Sequence, residues 1–165
     1  MNKKSSSLFS ALLCAIVNSS TLADTHLSPE DKIAALKAAG FKKQESDWKS
    51  NCDDSSDLYA PAAIDSTRDI NYDGLPEVVV TEVSSFCYGN TGIKSSLVSK
   101  KPDGSWSLAF SNIGVLRLVH SSKEEHWADI EVGGPGFCFP IYRWDGKKIA
   151  LNRYEYESKS CRPNQ

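Results

Sequence analysis

"DINYDGLPEVVVTEV", residues 69–83, sets four oxygen-bearing side chains around a glycine and then runs straight into a β-branched hydrophobic segment. Asp69, Asn71 and Asp73 alternate along the chain, Gly74 permits a sharp bend, and Glu77 opens the run Val78-Val79-Val80. A polar turn feeding a strand is the least that this pattern means. The strand half decides the fold class, because segments of the same character recur downstream.

"PEVVVTEV" (76–83), "GIKSSLVSK" (92–100) and "SWSLAFSNI" (105–113) are rich in β-branched or aromatic residues and are separated by turn signals. "KPDGS" joins the second to the third as a tight hairpin. A second group follows: "WADIEVG" (127–133), "CFPIYRW" (138–144) and "KIALNRYEY" (148–156), with "WDGKK" as its hairpin turn. In each group an acidic strand is followed by Phe-Cys, a second strand, an Asp-Gly turn and a third strand. Phe86-Cys87 matches Phe137-Cys138, and Asp103-Gly104 matches Asp145-Gly146. One unit used twice is therefore an open reading, beside a plain series of β-meanders.

Upstream lies one helix. Ser28 suits the N-cap, Pro29 the first helical position, and Glu30 and Asp31 the positive end of the helix dipole. The pattern predicts a helix from Pro29 to Ala39 closed by Gly40, with Ile33, Leu36 and Phe41 docking on a sheet. The expected fold is α+β and mainly β: an N-terminal helix packed on antiparallel meander sheets of about six or seven strands.

Residues 1–23 read as a secretory signal peptide. Lys3 and Lys4 precede the apolar run "LFSALLCAIV" (8–17), and Thr21-Leu22-Ala23 supplies small residues for cleavage after Ala23. The run is short for a membrane span, and Leu13 stands before Cys14 where a lipoprotein signal has a small residue. The expected product is a single domain, residues 24–165, periplasmic or secreted and without a membrane anchor. Its 17 basic and 21 acidic residues leave a net charge of −4 and no basic stripe, which argues against nucleic acid as a partner.

Four cysteines remain in that product: Cys52, Cys87, Cys138 and Cys161. An even count in an exported chain reads as two disulfides with three possible connectivities, and no C-x-x-C or C-x-x-H supports zinc. In a three-stranded meander the end of strand three lies beside the start of strand two. That geometry favours Cys138–Cys161, leaving Cys52–Cys87, over a Cys87–Cys138 bridge.

The opening loop carries the most specific chemistry. Calcium takes six to eight oxygen ligands, and an acidic loop with alternating side chains and a central glycine supplies them compactly. Counting from Asp69, oxygen ligands fall at positions one, three, five and nine, with Gly74 at six and the Leu75 carbonyl at seven. The start is like an EF-hand loop, but position twelve is Val80 and a strand follows instead of a helix. D-x-N-x-D-G-x-x-E leading into a strand resembles the calcium loop of FG-GAP and VCBS-type repeats. The resemblance covers residues 69–80 and implies that Asp69, Asn71, Asp73 and Glu77 are side-chain ligands of a structural calcium, with Leu75 a backbone ligand. The corresponding place before the second group, "SSKEEHWADIE", lacks the pattern, and 165 residues are too few for a complete propeller.

Other chemistry is thinner. His26, His120 and His126 are dispersed, no G-x-S-x-G elbow is present, and "GGPGF" (133–137) lacks the lysine of a phosphate loop and reads as a turn or bulge. Glu124-Glu125 and Asp129-Glu131 are carboxylate pairs of unknown facing. Trp48, Trp106, Trp127 and Trp144, with Tyr142, Tyr154 and Tyr156, read first as sheet core and surface, and second as a recognition face. The expectation is an exported, non-enzymatic binding or structural module with a protein or glycan partner. The alternative is a periplasmic inhibitor or immunity protein that blocks a cell-envelope enzyme with loops 84–92 and 133–138.

Overall fold

A computed structural model describes residues 27–119 and 127–163. The expected signal peptide, all three histidines and the Glu124-Glu125 pair lie outside these residues. Helix α1 (Pro29–Ala38) is followed by a small hairpin of β1 (Lys42–Gln44) and β2 (Asp47–Lys49). The first sheet is an antiparallel meander of β3 (Ala60–Arg68), β4 (Glu77–Val83), β5 (Ile93–Lys100) and β6 (Trp106–Ile113). A short helix α2 (Ser85–Tyr88) and a 3-10 turn (Gly89–Thr91) lie between β4 and β5. The second sheet continues as β7 (Val115–Val119), β8 (Asp129–Gly133), β9 (Phe139–Trp144), β10 (Ile149–Tyr156) and β11 (Lys159–Ser160), again antiparallel throughout.

The layers follow from side-chain parity along the strands. Val78 and Val80 of β4, with Val98 of β5, face α1 and pack against Ala35, Leu36, Ala39 and Phe41. Val79 and Leu97 point the other way, onto Ile130, Leu116, Leu118 and Tyr142 of the second sheet. The first sheet is thus covered on both faces, which is why β4 reads as a continuous hydrophobic run. The second sheet has one covered face, and its polar face carries ion pairs.

Each expected strand is present within two residues of its predicted bounds, but the expected six or seven become eleven among the described residues. The unforeseen β3 contains Pro61, lies at a sheet edge and has two register shifts against β4, so it lacks a clean alternation. The unforeseen β7 leaves β6 through Gly114 alone. A Cβ at Gly114 would sit 2.4 Å from a Val132 methyl, and its φ of +141° disfavours other residues. The β1–β2 turn has Glu45 at φ +54°, without the glycine that marks such a turn in sequence.

The helix also departs from expectation in its buried face. Ile33 is 44% exposed, whereas Ala35, Leu36 and Ala39 are buried. Small alanines let α1 approach the sheet closely, and Asp31 fixes it there by accepting from Lys100 Nζ at 2.8 Å and Trp106 Nε1 at 2.9 Å. In topology β3–β6 and β7–β10 are successive four-stranded meanders, an arrangement that a repeated unit and a plain meander series share. The Phe-Cys pairs fall in the second connection of each, and the Asp-Gly pairs in the third.

Candidate functional site

The acidic loop connects β3 to β4. It is held by its own backbone: Asp69 Oδ2 accepts from Gly74 N–H at 3.0 Å, Asn71 Oδ1 from Asp73 N–H at 3.0 Å, and Asp73 Oδ1 from Leu75 N–H at 2.8 Å. Gly74 adopts φ +83° and Tyr72 φ +60°, so the chain bends twice within three residues. Glu77, 1% exposed, reaches back into the loop. Its Oε2 accepts from Ile70 N–H at 2.9 Å, and its Oε1 from Ser99 Oγ at 2.8 Å and Asn71 Nδ2 at 3.3 Å.

All these donors to Glu77 are neutral. Burial, reinforced by the negative charges of Asp73 and Asp69, raises its carboxyl to about 7 against the pull of Ile70 and Ser99. Asp69 Oδ1 is buried with no hydrogen-bond partner. The Asn71 amide nitrogen lies between Asp73 Oδ2, at 2.9 Å, and Glu77 Oε1. Asp69, Asn71, Asp73 and Glu77 are therefore brought together around a negative centre. Among the described residues no three His, Cys, Asp or Glu side chains are grouped tightly enough to hold a metal as they stand.

A second constellation braces the connection from β4 to β5. The bridges are Cys52–Cys87 and Cys138–Cys161, as meander geometry favours. Ser84 is fully buried: its hydroxyl caps α2 by accepting from Cys87 N–H at 3.0 Å and donates to Asp54 Oδ2 at 2.6 Å. Glu82, also fully buried, accepts from Ser50 N–H at 3.0 Å, Tyr59 Oη at 2.8 Å and Tyr88 Oη. Burial pushes the Glu82 carboxyl up, but the Ser50 and tyrosine bonds outweigh it and hold it below the usual value. Tyr88 is pushed up to about 12 by burial and by its bond to Glu82. Sequence gave no sign of this network, because its members are separated by up to 38 residues.

The connection from β8 to β9, "GGPGF", is a bend, and it lies against the β4–β5 connection: a Cβ on Gly134 would meet Thr91 Oγ1 at 3.5 Å. Together the two connections wall a cleft of about 600 Å³ with Arg117, Phe139 and Tyr156. Phe86, 76% exposed, and Phe137, 61% exposed, stand on these connections, each next to a bridged cysteine.

The Asp129-Glu131 pair is committed elsewhere. Asp129 is fully buried beneath Arg143, which bonds it through Nε and Nη2 at 2.8 and 2.9 Å, and Arg153 Nη1 at 2.7 Å. Burial raises its carboxyl, but the two arginines overcome that and hold it low. Glu131 pairs with Arg117. The aromatic residues form no single row. Trp48 and Trp106 pack against the helix-side core, Tyr142 tilts on Phe110, Tyr156 meets Phe137 and Phe139, and Trp127 stacks on Trp144 at 5.6 Å.

No helix among the described residues is long and apolar enough to cross a membrane. No family model, curated protein or solved structure matches the chain.

Proposed function

We propose that the protein is an exported, non-enzymatic binding module of the FG-GAP/VCBS-like sort, stiffened by two disulfides and by a structural calcium ion at residues 69–77. The buried, unpartnered Asp69 Oδ1 beside a buried Glu77 with only neutral donors carries this reading. Three carboxylates gathered without a cation repel one another, and a divalent ion relieves that cost. Asp69, Asn71, Asp73 and Glu77 would supply side-chain oxygens and Leu75 its carbonyl. Asn71 must then turn its amide nitrogen away from the centre and present its oxygen. Calcium fits the all-oxygen donor set, and its role is to fasten the β3–β4 connection.

Recognition falls to the paired connections 84–92 and 133–138. Exposed aromatic residues on ordered loops are effective contact groups, because little conformational entropy is lost when they bind. The disulfides support export to an oxidising compartment, periplasmic or extracellular. The same projecting, braced loops also favour the second reading, an inhibitor or immunity protein that plugs a cell-envelope enzyme.

The test is a calorimetric calcium titration of the oxidised protein beside Asp69→Ala and Asp73→Ala. Saturable binding that disappears in both variants supports the calcium-braced module. Absence of heat and of any thermal stabilisation sinks the calcium reading. A stoichiometric complex with a cell-envelope enzyme that needs Phe86 and Phe137 would instead select the inhibitor.

A further inference from the structure

Beside the acidic loop the fold brings together two hairpin turns that are some forty residues apart in sequence, and Asn71 and Asp73 line the cleft between them. The β5–β6 turn carries Lys101 and the β9–β10 turn carries Lys147 and Lys148, and all three side chains are exposed. Between them lies a cleft of about 540 Å³ whose wall includes Trp127 and Trp144. The indoles are stacked with 24° between their planes. Both turns are ordered: Lys101 N–H donates to the Ser105 carbonyl at 2.8 Å, and Asp145 Oδ1 accepts from Lys147 and Lys148 N–H at 2.8 and 2.9 Å.

We infer that this cleft is a binding site for an acidic oligosaccharide, a chain of uronic-acid sugars. A half-exposed tryptophan pair offers a flat apolar surface to the C–H face of a pyranose ring. The lysines are compact point charges suited to single carboxylates. Among the described residues none of the three has an ion-pair partner, whereas neighbouring Lys100 is tied to Asp31. Their placement on two separate turns suits a ligand whose charges repeat along its length. The nearby acids are only partly engaged elsewhere: Asp103 and Asp145 accept amides of their own turns while the charges of Lys101 and Lys148 also help hold their carboxyls low, and Asp73 of the acidic loop stands in the cleft wall. The volume falls in the range of small-ligand clefts. The cleft needs no partner at loops 84–92 and 133–138, but Asn71 and Asp73 of the acidic loop stand in its wall, so a calcium ion there would offset the Asp73 charge facing the ligand, and the comparison of calcium with chelator separates the two readings.

The test follows tryptophan fluorescence while the oxidised protein is titrated with hexagalacturonate, with neutral maltohexaose and with hexathymidylate, each in calcium and in chelator. The inference expects saturable binding of hexagalacturonate in the millimolar range or tighter, weakened by salt, with little response to maltohexaose. The paired variant Lys147→Glu with Lys148→Glu, and separately Lys101→Glu, should each weaken binding by roughly tenfold or more. Unchanged melting of these variants would assign the loss to the site, since all three lysines are exposed. Failure of hexagalacturonate to bind in either condition would overturn the inference. So would equal binding of maltohexaose, tighter binding of hexathymidylate, or indifference to charge reversal.

Discussion

The two meanders each bury a carboxylate at the first residue of their second strand, Glu77 in one and Asp129 in the other, and they compensate it differently. Asp129 lies on the polar face of the second sheet beneath two arginines, so its charge is neutralised within the protein. Glu77 points between the sheets, where Ser99, Asn71 and a backbone amide are its donors. The contrast shows that a shared topology does not fix how a buried charge is satisfied. In one unit arginines of the same sheet neutralise the buried charge, and in the other the buried carboxylate has only neutral hydrogen-bond donors.

The largest expected effect breaks the arginine-neutralised unit. Asp129→Ala removes the buried acceptor that Arg143 and Arg153 share, leaving Arg153 with Glu155, and should destabilise the protein by about 3 kcal/mol or more in urea unfolding. A loss below about 1 kcal/mol would show that the arginines are satisfied by solvent instead. Next come the disulfides. Converting either bridge to serines should cost about 3–4 kcal/mol, nearly equal for the two, because loop-closure entropy changes slowly between separations of 35 and 23 residues. Only loss of Cys52–Cys87 should also release the Glu82 network around Tyr88.

The pH dependence separates the two carboxylates by sign. The Asp129 carboxyl is held low, so its contribution is present above the unfolded value and is lost as pH falls through its folded pKa. Glu77 is raised to about 7, so its contribution is full below the unfolded value, about 4.5, and is lost as pH rises through 7. Calcium-free protein should therefore lose stability between those two values, by about 3 kcal/mol in denaturant titrations, and calcium should abolish the decline. The smallest effect has the opposite direction to Asp129→Ala. Glu77→Gln should stabilise the calcium-free protein at pH 7 by about 1 kcal/mol while removing stabilisation by calcium. A destabilised Glu77→Gln variant would mean that the native carboxylate is already well compensated.

Much of this comparison was legible in the sequence, for identifiable reasons. The six strands with strong β-branched or aromatic content and flanking turn residues were readable, as was the capped helix. Of the strands that escaped notice, β3 and β7 owe their conformation to neighbours: β3 to pairing with β4, and β7 to the close packing that only Gly114 permits. The acidic loop was legible because its donors are contiguous. Glu82 was not, since Ser50, Tyr59 and Tyr88 converge on it only after β4 and its following helix are in place. Asp129 was visible as half of an acid pair, but its arginines lie 14 and 24 residues away across neighbouring strands.

Hydrogen exchange of the oxidised protein, measured peptide by peptide with calcium and with chelator, tests the central contrast most directly. The account predicts that calcium slows exchange across residues 69–83, including the Ile70, Gly74 and Leu75 amides, while residues 127–144 exchange at unchanged rates. Identical exchange in both conditions, or protection spread equally over both meanders, would contradict it.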